Sequence, residues 1–129
     1  SGTAIPGLVA DEVDQLMKNY RIPKNTRVVA HGSYICSPNG IPIKKNHDAA
    51  YVTLKSGASI FSVGTRMWSC ALVNNCPSSV MTADSYRFAQ IVTSNVLTVF
   101  DAGKVKKSWR AINNVKKLYP RTKFKTVNW

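Results

Sequence analysis

Two histidines, His31 and His47, and three cysteines, Cys36, Cys70 and Cys76, are the residues suited to proton transfer, nucleophilic attack or metal binding. The histidines flank the turn-forming run Ser37-Pro38-Asn39-Gly40. If Pro38-Asn39-Gly40 is a three-residue loop with Gly40 left-handed, Ser37 faces Ile41 and His31 falls opposite His47. The β-carbons of such neighbours lie about 5 Å apart, so one imidazole can orient the tautomer of the other. A two-residue loop slips the register and separates them, and two unrelated surface histidines are the alternative. Cys76 sits between Asn75 and Pro77 at the expected start of a helix, where free N–H groups and the dipole favour a thiolate. A Cys76-His31-His47 nucleophile is one reading and a small buried hydrophobe at Cys76 is the other. Cys36 and Cys70 read as core residues of apolar strands. Three Cys and two His offer only an irregular zinc constellation, so neither metal nor cofactor is expected. His31 and His47 as the acid and base of a basic ribonuclease are a further reading.

These residues need elements to hold them. Leu8, Val9, Val13, Leu16, Met17 and Tyr20 form a stripe at helical spacing, with Pro6 ahead, Asp11 and Glu12 early, and Lys18 and Arg21 late. That pattern predicts a helix over residues 7–20, stopped by Pro23. Residues 27–36 and 41–47 predict a β-hairpin, and residues 50–54 and 59–63 predict two strands around the tight turn Lys55-Ser56-Gly57. Residues 67–73 form a third apolar stretch. From Pro77 onward, Tyr86, Phe88, Ala89, Ile91, Val92, Val96, Leu97 and Phe100 predict a long helix closed by Gly103. Val105, Trp109, Ile112, Val115, Leu118 and Tyr119 predict a last helix ended by Pro120, and residues 123–129 alternate like a strand or an extended tail. The order implies an α+β domain in which a small antiparallel sheet of four to five strands packs against helices.

A chain of 129 residues, 44% of them hydrophobic, fits one domain over residues 1–129 whose core needs no staple. An odd cysteine count without CxxC spacing points to a reducing, intracellular setting. No run approaches the ~20 apolar residues of a membrane helix, and no signal peptide opens the chain. Nine of the 18 Lys and Arg lie in residues 102–129, which hold no acid, so this segment carries most of the net charge of +12. The nine are Lys104, Lys106, Lys107, Arg110, Lys116, Lys117, Arg121, Lys123 and Lys125. A basic helix and tail over residues 103–129 reads as an extension that contacts phosphates, above all those of RNA, or anionic lipid head groups. Trp109, Tyr119, Phe124 and Trp129 lie among the charges and are placed to stack on bases. A solvated helix face with the aromatics as core anchors is the alternative.

Val29-Ala30-His31-Gly32-Ser33-Tyr34-Ile35 with the Pro-Asn-Gly turn after it resembles the H-box, and Val63-Gly64 with Leu72-Val73-Asn74-Asn75-Cys76 resembles the NC-box. Over roughly residues 27–92 the pair is similar to the lecithin retinol acyltransferase-like branch of the NlpC/P60 thiol enzymes and to the picornavirus 2A proteins of the H-box/NC type. The charge of +12 and the Ser1-Gly2 start, a cloning remnant or a protease-made N-terminus, look more like the viral, parechovirus-type member. The resemblance implies a small sheet carrying the histidines, packed against a helix that starts at the cysteine. His31 would be the base, His47 its orienting group and Cys76 a nucleophile forming a thioester, the set being active or vestigial. The chain departs from the cellular enzymes in Gly32, where an aromatic residue is common, and in Pro77-Ser78-Ser79, where an acid-His-aromatic run follows the cysteine. His47 also falls later than the usual second histidine. The implied role is a non-proteolytic viral protein that binds RNA and serves genome replication or host-cell modulation in the host cytoplasm, with host proteins as further partners; the low acid content is compatible with the nucleus as an alternative. The alternative role is a thiol acyltransferase or phospholipase using Cys76 and His31.

Overall fold

The computed structural model describes residues 4–10, 12–77 and 81–128. Its elements run β1 (Arg21–Pro23), β2 (Thr26–Cys36), β3 (Ile43–Thr53), β4 (Ser59–Ser62), α1 (Met67–Leu72), α2 (Ala83–Asp101), α3 (Val115–Leu118) and β5 (Lys125–Val127). The protein is α+β: β2, β3 and β4 form an antiparallel sheet, and β1 and β5 form a separate parallel pair. Three antiparallel strands therefore stand where four to five were expected.

The hairpin of β2 and β3 is longer than its sequence signature. Cys36 pairs with Ile43, so the connection is six residues and not three, and it holds a short 3-10 turn at Pro38–Gly40. Asn39 (φ 56°) and Gly40 (φ 78°) both take left-handed backbone, which these two residue types tolerate best. The expected strands 41–47 and 50–54 are one continuous strand. At its far end Leu54 N–H bonds Ala58 C=O (2.8 Å) and Gly57 N–H bonds Leu54 C=O (3.1 Å), closing the expected tight turn.

A β-bulge at Val29 shifts the pairing between Val28 and Ala30. Val28 faces Ala50, Ala30 faces Ala49, and beyond the bulge His31 faces Asp48 and Gly32 faces His47. Because side chains alternate, this one-residue difference from the expected register puts His31 and His47 on opposite faces of the sheet.

Each face has its own core. On one side Leu8, Ala49, Trp68, Ala71 and Ala89 pack with Ala30, Phe61 and Phe88. Trp68 is the anchor, edge-on to Phe61 (5.7 Å) and Phe88 (5.9 Å), with its indole N–H on Thr93 Oγ1 at 2.9 Å. On the other side Ile22, Val28 and Val115 pack with Leu16, Leu118, Tyr119 and Phe124.

Residues 7–10 and 12–20 are not the expected helix. Leu8 is buried in the first core and Leu16 packs against the second, a division that one helical stripe cannot make. The segment's backbone bonds the sheet instead: Asp14 N–H to Gly64 C=O (2.8 Å), Asp48 N–H to Asp14 C=O (3.0 Å) and Arg66 N–H to Glu12 C=O (3.3 Å). The third apolar stretch is the short helix α1. Helix α2 begins at Ala83, not at Pro77, because Thr82 and Ser85 form a capping box there, and Gly103 closes it as expected, donating to Phe100 C=O at 3.0 Å.

The last helix expected from Val105 to Tyr119 is broken into a 3-10 turn at Lys107–Trp109, an extended run and the short α3. Asn114 explains the break. Its side-chain amide accepts from Val28 N–H (2.8 Å) and donates to Val28 C=O (2.8 Å), so it caps the outer edge of β2 in place of a neighbouring strand. The basic segment is thereby an integral part of the second core. Among the described residues no helix is long and apolar enough to cross a membrane.

Candidate functional site at His31, Asp48 and Tyr119

Asp48 stands in β3 between residues that belong in a strand, with its side chain 1% exposed. Its carboxylate accepts three hydrogen bonds. His31 Nδ1 lies 2.9 Å from Oδ1, and the Tyr119 hydroxyl (2.5 Å) and Leu16 N–H (2.8 Å) both reach Oδ2. All three partners are donors, which suits an acceptor-only carboxylate, and the first of them fixes the Nδ1–H tautomer of His31. The Tyr119 ring also meets the imidazole edge-on at 5.2 Å. The Tyr119 hydroxyl is held well above its ordinary titration range by burial first, then by the bond to Asp48 and its charge, with an opposing contribution from Asn46. It remains a donor to Asp48.

His31 is thus aimed by a buried acid while 29% of its side chain stays exposed. Its Nε2 makes no hydrogen bond among the described residues and carries the free lone pair. An imidazole so oriented can take a proton at Nε2, with Asp48 stabilising the imidazolium that results. Among the described residues no hydroxyl or thiol bonds Nε2, so the proton it takes is read as coming from water or a substrate.

The residues expected to act with His31 lie elsewhere. His47 is 2% exposed on the opposite face, with Nε2 at 3.1 Å from Val63 C=O. Burial lowers its pKa from the ordinary value, against the Val63 bond and the Asp48 charge, so it is a neutral packing residue. Gly64 (φ 65°) makes room for it: a Cβ there would stand 3.1 Å from His47 Nε2 and 2.4 Å from Asp48 C=O. Cys76 is joined to Cys70 in a disulfide, with the Cα atoms 4.9 Å apart. In this state Cys76 has no thiol, and it follows α1 rather than opening α2, so neither condition for an activated thiolate is met. The reading of Cys70 as a core residue of an apolar strand is corrected too: it lies in α1 and is bonded to Cys76. Cys36 alone is a free, half-buried thiol. Among the described residues no three His, Cys, Asp or Glu side chains are gathered as a metal site would need.

The nine cations from Lys104 to Lys125 are all exposed. Of the four aromatics among them, Tyr119 and Phe124 pack on each other at 5.4 Å in the second core. Trp109 is 38% exposed and carries the Lys106 ammonium 5.1 Å from its ring centroid, and Trp129 lies outside the described residues. Asp48 and Tyr119 are the members that sequence reasoning missed. The available signal was an acid directly ahead of the apolar run Ala49-Ala50-Tyr51-Val52, at a strand position where aspartate is disfavoured unless it is held by partners.

A family model described as the N,N-dimethylformamidase beta subunit-like, C-terminal domain matches residues 1–78, a span that holds His31, His47, Asp48 and both cysteines of the disulfide but not Tyr119 or the cationic segment. No curated protein and no solved structure matches the chain significantly. The chain belongs to the N,N-dimethylformamidase beta subunit-like, C-terminal family.

Proposed function

We propose that this protein binds RNA through the cationic segment between Lys104 and Lys125. The observation that carries the reading is nine exposed cations, unrelieved by any acid, on a segment held against the sheet by Asn114, Val115 and Phe124. Charges on a fixed backbone lose little freedom on binding, and each phosphate neutralised releases a counterion. Fluorescence anisotropy with a short labelled RNA across a salt series tests it. If four or five cations engage a single strand, log Kobs falls against log salt with a slope of about −3. Lys116→Gln with Lys117→Gln should flatten that slope by about 1.4. Salt-independent binding refutes the reading. Point variants replace truncation, because cutting at residue 103 would remove Val115 from the core. The H-box and NC-box resemblance extends the proposal to an LRAT-like fold and a viral 2A-type role in genome replication or host-cell modulation, in the host cytoplasm and nucleus.

A second reading is hydrolysis at His31, favoured by one observation: a buried carboxylate that orients an accessible imidazole beside the cationic segment. The family description names an amidase subunit, so N,N-dimethylformamide and RNA are the two substrates to assay. Turnover of either that disappears in His31→Ala supports the reading, and no turnover of either removes it. Thiol acyl transfer by Cys76 would require the disulfide to be reduced first.

A further inference from the structure

On the face of the sheet opposite His31, a groove of about 340 Å³ runs between the strands and α2, lined by Val29, Tyr51, Val92, Asn95, Val96, Val99 and Trp109. That volume is at the small end of ligand sites. The bulge creates its wall, since Val29 and Ala30 both fall on this face and Val29 is left unpaired at its edge.

Three features say what fits. Tyr51 and Trp109 offer flat aromatic surface among branched aliphatic side chains. Asn95 is the one amide in the lining and has no side-chain hydrogen bond among the described residues, so it has a donor and an acceptor to offer. Two cations neighbour the lining: Lys106 lies over Trp109, and exposed Arg27 shares a face with its cross-strand neighbour Tyr51. A planar, apolar-faced ligand with a hydrogen-bonding edge and an attached anion satisfies all three. We infer that the groove takes one unstacked base of a single-stranded RNA, its ring against Trp109 and Tyr51, its edge on Asn95 and its phosphate between Arg27 and Lys106. This rests on the RNA-binding reading and adds a base-contacting site to a surface that otherwise sees only phosphates.

The experiment compares a labelled octauridylate with an abasic oligomer of the same length and phosphate charge. The expected result is binding about tenfold tighter for the octauridylate. That advantage should vanish in Trp109→Ala and in Val96→Trp, which fills the groove without removing its packing, while the salt slope is unchanged. Equal affinity for the two oligomers with a steep salt slope overturns the groove and leaves the cationic reading standing. No binding of either overturns both. A tryptophan fluorescence shift with lysophosphatidic acid, absent in Trp109→Phe and not produced by the octauridylate, assigns the groove to an acyl chain and also overturns the inference.

Discussion

Replacing Asp48 by asparagine separates the carboxylate's charge from its shape. Asparagine keeps one carbonyl oxygen for the Tyr119 hydroxyl and Leu16 N–H, which share Oδ2, and turns its N–H toward His31 Nδ1, the single donor on Oδ1. Two retained bonds fall from charge-assisted to neutral, each losing about 1 kcal/mol, and the third becomes a buried donor facing a donor, at about 1–3 kcal/mol. The side chain is 1% exposed, so solvent screening removes little of this. The sum is about 3–5 kcal/mol, a large part of the roughly 5–15 kcal/mol that holds a domain together, and it corresponds to a fall in Tm of about 10–20 °C. Urea unfolding followed by circular dichroism reads it directly. Tyr119→Phe alone removes one charge-assisted bond and should cost about 1.5–3 kcal/mol. In the double variant the Tyr119 bond that is lost has already been weakened to a neutral one, so the combined cost should fall short of the sum by about 1 kcal/mol. An Asp48→Asn protein within 0.5 kcal/mol of wild type, or costs that add, would refute the three-donor cluster as drawn.

Three further outcomes follow from geometry already described. His47 has its pKa lowered in the fold, so the unfolded chain binds the proton first as pH falls through its ordinary value of 6.5, and stability should drop below that pH by up to about 1.4 kcal/mol per unit. Thermal unfolding from pH 8 to 4 should show this slope, and His47→Gln should flatten it. A thiol titration of the unreduced, unfolded chain should find one thiol among three cysteines, and Cys70→Ser with Cys76→Ser should cost about 2 kcal/mol for so short a loop. Asn114→Ala leaves both polar groups of Val28 without their partner and should cost about 2–4 kcal/mol, with amide exchange at Val28 accelerated.

Local patterns that were not overridden were legible in the sequence. The Val- and Ile-rich run of β2, the Lys55-Ser56-Gly57 turn and the Gly103 stop of α2 each follow from short-range chemistry, and they were enough to give the α+β class. The stripe from Leu8 to Tyr20 misled because its apolar residues are divided between two cores, a property of the sheet and not of the segment. The last helix failed at Asn113 and Asn114, whose amides found backbone partners across the fold, Lys24 C=O and Val28. At the site His31 was expected to meet His47, whereas it faces Asp48. The bulge at Val29 and the six-residue loop set the register, and no short sequence pattern announces either. The Cys70–Cys76 pairing was hidden because it depends on α1 ending in a turn where a strand was expected; Asn74 takes φ 53° there.

The parallel pairing of β1 with β5 joins Arg21 to Lys125, residues separated by nearly the whole chain, and Lys24 N–H closes on Val127 C=O at 2.8 Å. During synthesis the residues of the three-stranded sheet and α2 are made before Val115, Phe124 and Lys125, so the first core has its parts while Ile22 and Val28 still lack theirs. The cationic segment is therefore the last part of the second core to be made. A polyanion that took up these charges before the segment docked would compete with the second core for the same stretch of chain.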